Sequence, residues 1–209
     1  MNIEDIPPDV AKKVAEANRS INTDHDWWDC TVDRFKEDMA AVGIHVERTY
    51  FSGFWSQGDG ACFDGQVNDW GKFLTHLGYT DPFMIQLADN YWMFTCGHRG
   101  RYYHHKSVGY NEQAPLPCND EDEQFIKDYL GIDEVLRASV ALNQLAKYDE
   151  DTLCKEFRES FERHMQDLYR RLEREYDYLT SDTAVLEALE ANELLEEEVN
   201  NHTMEIANA

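Results

Sequence analysis

The chain has 209 residues, 42% hydrophobic and 12% aromatic, enough for one ordinary domain with a real core or one domain plus an appendage. No window approaches eighteen consecutive apolar residues, which excludes a membrane-spanning helix, and the acidic opening Met1-Asn2-Ile3-Glu4-Asp5 lacks the apolar core of a secretory signal. Forty-two acids against nineteen bases leave a net charge of −23, which repels nucleic-acid backbones and membranes and attracts basic proteins, so direct nucleic-acid or membrane binding is not expected.

The acidic excess is uneven. Residues 1–118 carry 17 acids and 10 bases, whereas residues 119–209 carry 25 acids and 9 bases. Cys30, Cys62, Cys96, Cys118 and Cys154 are scattered singly, which suggests neither a disulfide framework nor a Cys-x-x-Cys metal site and points to a reducing cytoplasm.

Pro7-Pro8 introduces an amphipathic helix with Val10, Val14, Ala17 and Ile21 at helical spacing. Asp24 or Asp26 caps a second helix, whose stripe Trp28, Val32, Phe35, Met39 ends at the C-capping Gly43. Trp27 lies off that stripe and is expected to pack against the sheet. The stretch from Ile44 to Phe54 reads as a strand, Ser56 to Gly60 as a tight turn, and Ala61 to Val67 as the returning strand. Asn68 or Asp69 then caps a helix bearing Trp70, Phe73, Leu74 and Leu77, closed by Gly78. Phe83 to Ala88 adds a turn or two of helix. Tyr91 to Cys96 reads as a strand with Trp92, Phe94 and Cys96 on one face, Gly97 to Gly100 as a hairpin turn, and Arg101 to Tyr110 as its partner strand. Pro115 to Asn119 leaves the sheet as a linker.

Beyond the linker the pattern is helical and acidic. Asp120-Glu121-Asp122-Glu123 opens one helix, Gly131 breaks it, and Asp133 caps another through Lys147 with Leu136, Val140 and Asn143 in line. A helix starting at Asp151 or Thr152 carries Phe157, Phe161, Met165, Leu168, Leu172, Tyr176 and Leu179. Those near-heptad steps call for a partner helix or a self-packing seam, and a homodimer through 157–179 is one way to meet that call. Thr180 to Asp182 turns the chain into a final acidic helix from Thr183 to Val199, after which the end frays. The expected fold class is α+β: a small antiparallel sheet of about four strands with flanking helices in a domain 1–118, then an acidic helical region 119–209 that can also pack as one domain with the first.

Four groups of residues are weighed for function. The turn with Trp55, Ser56, Gln57 and Asp59 offers a binding surface, because Phe51, Phe54, Trp55 and Phe63 cannot all face one core; the competing reading is a hairpin whose glycines serve only turn geometry. It is no phosphate loop, since no Gly-Lys-Ser/Thr is present. An alternative reading makes it a small-ligand or nucleotide site, with or without enzymatic activity, centred on Gln57, Asp59 and His104. His98, His104 and His105 with Cys96 and Cys62 do not suggest a metal site, because adjacent histidines on a strand point to opposite faces. Ser52, Ser56 or Cys62 can be combined on paper with His104 or His105 and Asp59, as such triples can in many chains, so neither catalytic residues nor a cofactor are expected. Finally, Glu190, Glu193, Glu196, Glu197 and Glu198 crowd one short acidic stretch. Carboxylates on a rigid helix stand in for phosphates and compete for a basic nucleic-acid-binding cleft, although runs of this kind usually form a solvated exterior.

Phe51-Ser52-Gly53-Phe54-Trp55-Ser56-Gln57-Gly58-Asp59-Gly60-Ala61-Cys62-Phe63 resembles the FSGF-x-SQGDGA-x-F core of a family of small proteins encoded by bacteriophages and mobile elements. These are loosely labelled the antitoxin of a toxin–antitoxin system. The resemblance covers roughly residues 25–112, including Arg101 to His105, and leaves the acidic C-terminal helices outside. It brings no catalytic residues. It implies a mobile-element origin and, by extension, an inhibitor of a toxin, a restriction enzyme or a CRISPR effector. With the acidity, this gives the expected function: a phage-encoded acidic protein that blocks a basic, nucleic-acid-binding host or toxin protein.

Overall fold

A computed structural model describes residues 2–114 and 149–207. The fold is α+β. The helices are α1 (Pro8–Ala17), α2 (Asp29–Ala41), α3 (Trp70–His76), α4 (Pro82–Tyr91), α5 (Glu150–Leu179), α6 (Asp182–Ala191) and α7 (Leu195–Ala207). The strands β1 (Ile44–Phe51), β2 (Ala61–Val67), β3 (Met93–His98) and β4 (Val108–Gln113) form one antiparallel sheet in the order β1-β2-β3-β4. No described helix is long and apolar enough to cross a membrane. The expected linker at 115–119 and the helices expected over 120–147, with Gly131 and Asp133, lie outside the described residues.

The chain divides into two compact units, residues 1–32 with 170–209 and residues 33–169; the division falls within α2 and within α5. Chain order therefore does not decide the grouping. The first and last segments come together, although more than a hundred residues separate them.

In the sheet unit, local signals set the elements. Asp69 caps α3 by accepting from the Lys72 amide (2.9 Å), and these contacts with Lys72 hold its carboxyl below the usual carboxylate range. Gly43 and Gly78 follow α2 and α3 with φ of 83° and 93°, and the Tyr79 amide reaches back to the Leu74 carbonyl in a Schellman closure. The core is aromatic. Phe161 of α5 meets Phe63 of β2, Phe73 of α3 and Phe94 of β3 at centroid distances of 5.7, 5.9 and 4.9 Å, and Phe157 meets Trp70, Phe73, Trp92 and Phe94. The seam expected to seek a partner helix is thus covered from Phe157 to Phe161 by the chain's own sheet and α3.

In the helical unit, Ile6, Val10, Val14 and Ala15 form one buried cluster with Val185, Leu186, Leu189, Leu195 and Val199. Polar ties across it are long in sequence. Asn22 Nδ2 donates to the carbonyls of Leu179 (3.0 Å) and Ala184 (3.1 Å), and Arg19 pairs with Asp182 at 2.6 Å. Trp27 packs on Trp28 and Tyr176. The final acidic helix is broken. The Asn192–Leu194 turn separates α6 from α7, with Glu193 left-handed at φ 62° and the Leu194 amide bonded to the Leu189 carbonyl (2.9 Å). The end beyond Val199 continues as helix to Ala207 rather than fraying there.

Three strand expectations are also corrected. Tyr91 ends α4 rather than opening a strand, and β3 runs from Met93 to His98, taking in Gly97 and His98 of the expected turn. β1 ends at Phe51, and its register shifts between Val46 and Arg48, a bulge at Glu47. Without it, Arg48 and Tyr50 would share the inward face of Ile44 and Val46. With it, Arg48 lies opposite Asp64 and Tyr50 opposite Cys62, on the outer face, while Thr49 pairs with the inward Phe63. The return strand after β3 begins at Val108, not Arg101. Residues 99–107 instead close on themselves, through Arg99 N–H to the Ser107 carbonyl (2.8 Å) and Ser107 N–H to the His104 carbonyl (2.7 Å).

Candidate binding surface

The glycine-rich turn is built as a closed loop. The Ser52 amide donates to the Gly60 carbonyl (3.0 Å), and the Gly60 amide donates to Ser52 Oγ (3.3 Å). Asp59 Oδ2 accepts from the Ser56 amide at 2.6 Å and the Asp59 amide donates to the Ser56 carbonyl at 3.1 Å, so this carboxylate closes its own turn. Gly58 has φ 99°, a conformation glycine adopts without Cβ strain.

The turn is pressed against the 98–107 loop. A Cβ at Gly58 would stand 3.2 Å from the Tyr102 ring, and one at Gly60 would stand 2.8 Å from His104 Cα. The motif therefore spaces its glycines for close backbone approach. Above it, Trp55 is 71% and Tyr102 57% exposed, while Phe54 and Phe63 are buried and Phe51 is half-buried. Ser56 and Gln57 are exposed and Asp59 half-buried.

Below the turn, the outer sheet face carries a polar-aromatic cluster. The Tyr50 ring stacks on Tyr103 (5.5 Å, 18°) and contacts His98 (5.0 Å). Tyr50 donates its hydroxyl proton to Asp64 Oδ2 (2.7 Å), which raises the phenol's pKa, and Asp64 Oδ1 accepts from the His98 amide (2.7 Å). His98 Nε2 donates to the Tyr102 carbonyl (3.2 Å). The bulge at Glu47 makes this cluster by turning Tyr50 outward.

His104 and His105 do not take opposite faces, because they are not on a strand. Their ring centroids are 3.9 Å apart. His104 Nδ1 accepts from the Lys106 amide (3.2 Å), and His105 Nε2 accepts from the Gln166 amide group of α5 (3.2 Å). Burial first, then His104 and Lys106, push His105 down to about 4, so the ring is neutral at pH 7. Among the described residues no three His, Cys, Asp or Glu side chains are arranged to hold a metal ion. Burial pushes the thiols of Cys62 and Cys96 up to about 12, which leaves them as protonated packing groups rather than nucleophiles.

The second candidate surface is on the helical unit. Glu190, Glu193, Glu196 and Glu197 are exposed. Glu198 is half-buried and structural: it accepts from Asn18 Nδ2 (3.1 Å) and lies 3.8 Å from His202 Nε2.

Residues 27–182 match a family model described as a domain of unknown function (DUF8835). The chain belongs to the DUF8835 family. No curated protein and no solved structure matches it. The DUF8835 match spans the sheet unit, including the 52–60 turn and the 98–107 loop, and stops at Asp182. Glu190 to Glu198 lie beyond the matched residues.

Tyr50, Asp64, Arg99 and Lys106 carry no motif that marks them in the sequence, and Arg101, Tyr102 and Tyr103 read there only as part of a strand. One signal was available. Between Asp89 and Glu112 the chain runs 22 residues without an acid, while carrying Arg99, Arg101, Lys106 and three histidines.

Proposed function

We propose that this is a phage-encoded acidic binding protein that inhibits a host defence or toxin protein, of the anti-CRISPR, anti-restriction or antitoxin type, by occupying its basic nucleic-acid-binding surface. The observation that carries the reading is where the charge lies. Residues 1–32 and 170–209 hold 18 acids against 6 bases, net −12 over 72 residues, whereas residues 33–169 are net −11 over 137. The helical unit is thus about twice as dense in negative charge. Exposed carboxylates on α6, α7 and the turn between them present that charge from a backbone held by a buried apolar cluster. Carboxylates on a rigid backbone compete with a phosphate backbone because their spacing along the helices is set before binding. The mobile-element origin rests on the FSGFWSQGDGACF resemblance, and the proposed inhibitory surface lies beyond the residues that match DUF8835.

The test is competition. The tagged protein, passed over lysate of a phage-susceptible host, should retain a basic partner at about 50 mM salt and release it at about 500 mM or on addition of duplex DNA. Reversing Glu190, Glu193, Glu196 and Glu197 to lysine should abolish retention while the far-UV spectrum is unchanged; Glu198 is left intact because it holds Asn18. Retention that survives high salt, DNA and charge reversal refutes the electrostatic mechanism.

A further inference from the structure

The 52–60 turn and the 98–107 loop carry a surface opposite in character to the acidic helices. We infer that this surface binds single-stranded nucleic acid, with Trp55 and Tyr102 as base-stacking platforms and Arg99, Arg101 and Lys106 as phosphate contacts. The inference is independent of the inhibitor reading, which rests on the other unit.

Two observations carry it. First, Trp55 and Tyr102 are two of the large side chains most exposed to solvent, and they are neighbours, because the Tyr102 ring lies against Gly58, three residues from Trp55. Exposed aromatic rings beside cations are the means by which proteins hold unpaired bases; every base has a π-face, and each such stack weakens about 5- to 150-fold when the ring is removed. Second, Arg99, Arg101 and Lys106 are all exposed on the 22-residue acid-free run.

The whole-chain charge of −23 argues against any polyanion. However, that argument weakens with distance. At physiological salt the Debye length is about 8 Å, so a short oligonucleotide senses the charges beside it rather than the sum. An acidic peptide would satisfy the same three cations but would leave Trp55 and Tyr102 without a planar partner. The aromatic pair is what favours nucleic acid.

The experiment is fluorescence anisotropy of a labelled twelve-nucleotide oligo-dT with the full-length protein. We expect binding at about 50 mM salt that weakens roughly 20-fold at about 200 mM, the loss for three phosphate contacts to a single strand. Trp55→Ala should weaken binding about 5- to 150-fold and Trp55→Phe by less. The double variant Arg101→Gln, Lys106→Gln should flatten the salt dependence to that of about one contact. Trp55 is exposed, so its substitution leaves the fold intact, which a thermal melt verifies. The inference is overturned by no binding at low salt, by binding indifferent to Trp55→Ala, or by a poly-glutamate peptide competing as well as the oligonucleotide.

Discussion

Gly60→Ala is the sharpest probe of what the glycine-rich motif does. Gly60 is buried and its φ lies outside the left-handed region, so alanine adds a methyl group without backbone strain of its own. That methyl would lie 2.8 Å from His104 Cα, 3.3 Å from His104 N and 3.3 Å from the Tyr103 carbonyl oxygen, all backbone atoms that cannot rotate away. Ordinary carbon contact begins near 3.5 Å, so the turn and the 98–107 loop must separate by about 0.7 Å. Overpacking of this kind costs about 1–3 kcal/mol, and the separation also weakens the Ser52–Gly60 pair of hydrogen bonds. With a urea slope of about 1–3 kcal/mol per molar, the unfolding midpoint followed by tryptophan fluorescence should fall by about 1 M. Gly71→Ala is the control: it sits within α3, its added methyl meets Asp69 Oδ1 at 3.4 Å and Ile85 Cγ2 at 3.6 Å, and relief of glycine's helix penalty should raise stability by about 0.5–1 kcal/mol. A Gly60→Ala midpoint equal to wild type would show that the two loops are not pressed together and would remove the structural account of the motif.

Two further outcomes follow from the same geometry. Glu193 occupies the left-handed position after α6 where glycine is preferred, so Glu193→Gly should stabilise the protein by about 0.5–1 kcal/mol in thermal unfolding, and a loss would mean the side chain holds the turn. His105 is depressed to about 4 by burial, so the unfolded chain takes up a proton between about pH 6.5 and 4 that the fold refuses. Stability is therefore complete above pH 6.5 and declines as pH falls toward 4. With the ring only half-buried, the difference between wild type and His105→Asn should change by about 1–2 kcal/mol over that range in paired urea titrations, and parallel curves would refute the depressed ionisation.

Much of the architecture was legible in the residues themselves. The Pro8 start of α1, the Asp69 cap, the Gly43 and Gly78 closures, the inward Phe94 and Cys96, and the stripe from Phe157 to Leu172 are local signals, decided within a turn or two of chain. The candidate site was legible only in outline. The motif marked the turn, but its aromatic and basic half is a loop, and the alternation of Arg101 to Tyr110 imitates a strand.

What only the tertiary structure decided is everything that depends on register or on distant partners. A single extra residue at Glu47 moves Arg48 and Tyr50 to the outer face, and no local propensity announces it. The turn after α6 places Glu193 in a conformation its own side chain disfavours, because the Leu189–Leu194 closure and the buried cluster hold it there. Asn22 meets Leu179 and Ala184 across more than 150 residues, joining the two ends of the chain into one unit. Periodicity and capping record each residue's nearest neighbours in sequence. The packing of Tyr102 on Gly58 and of His104 on Gly60 is a matter of neighbours in space.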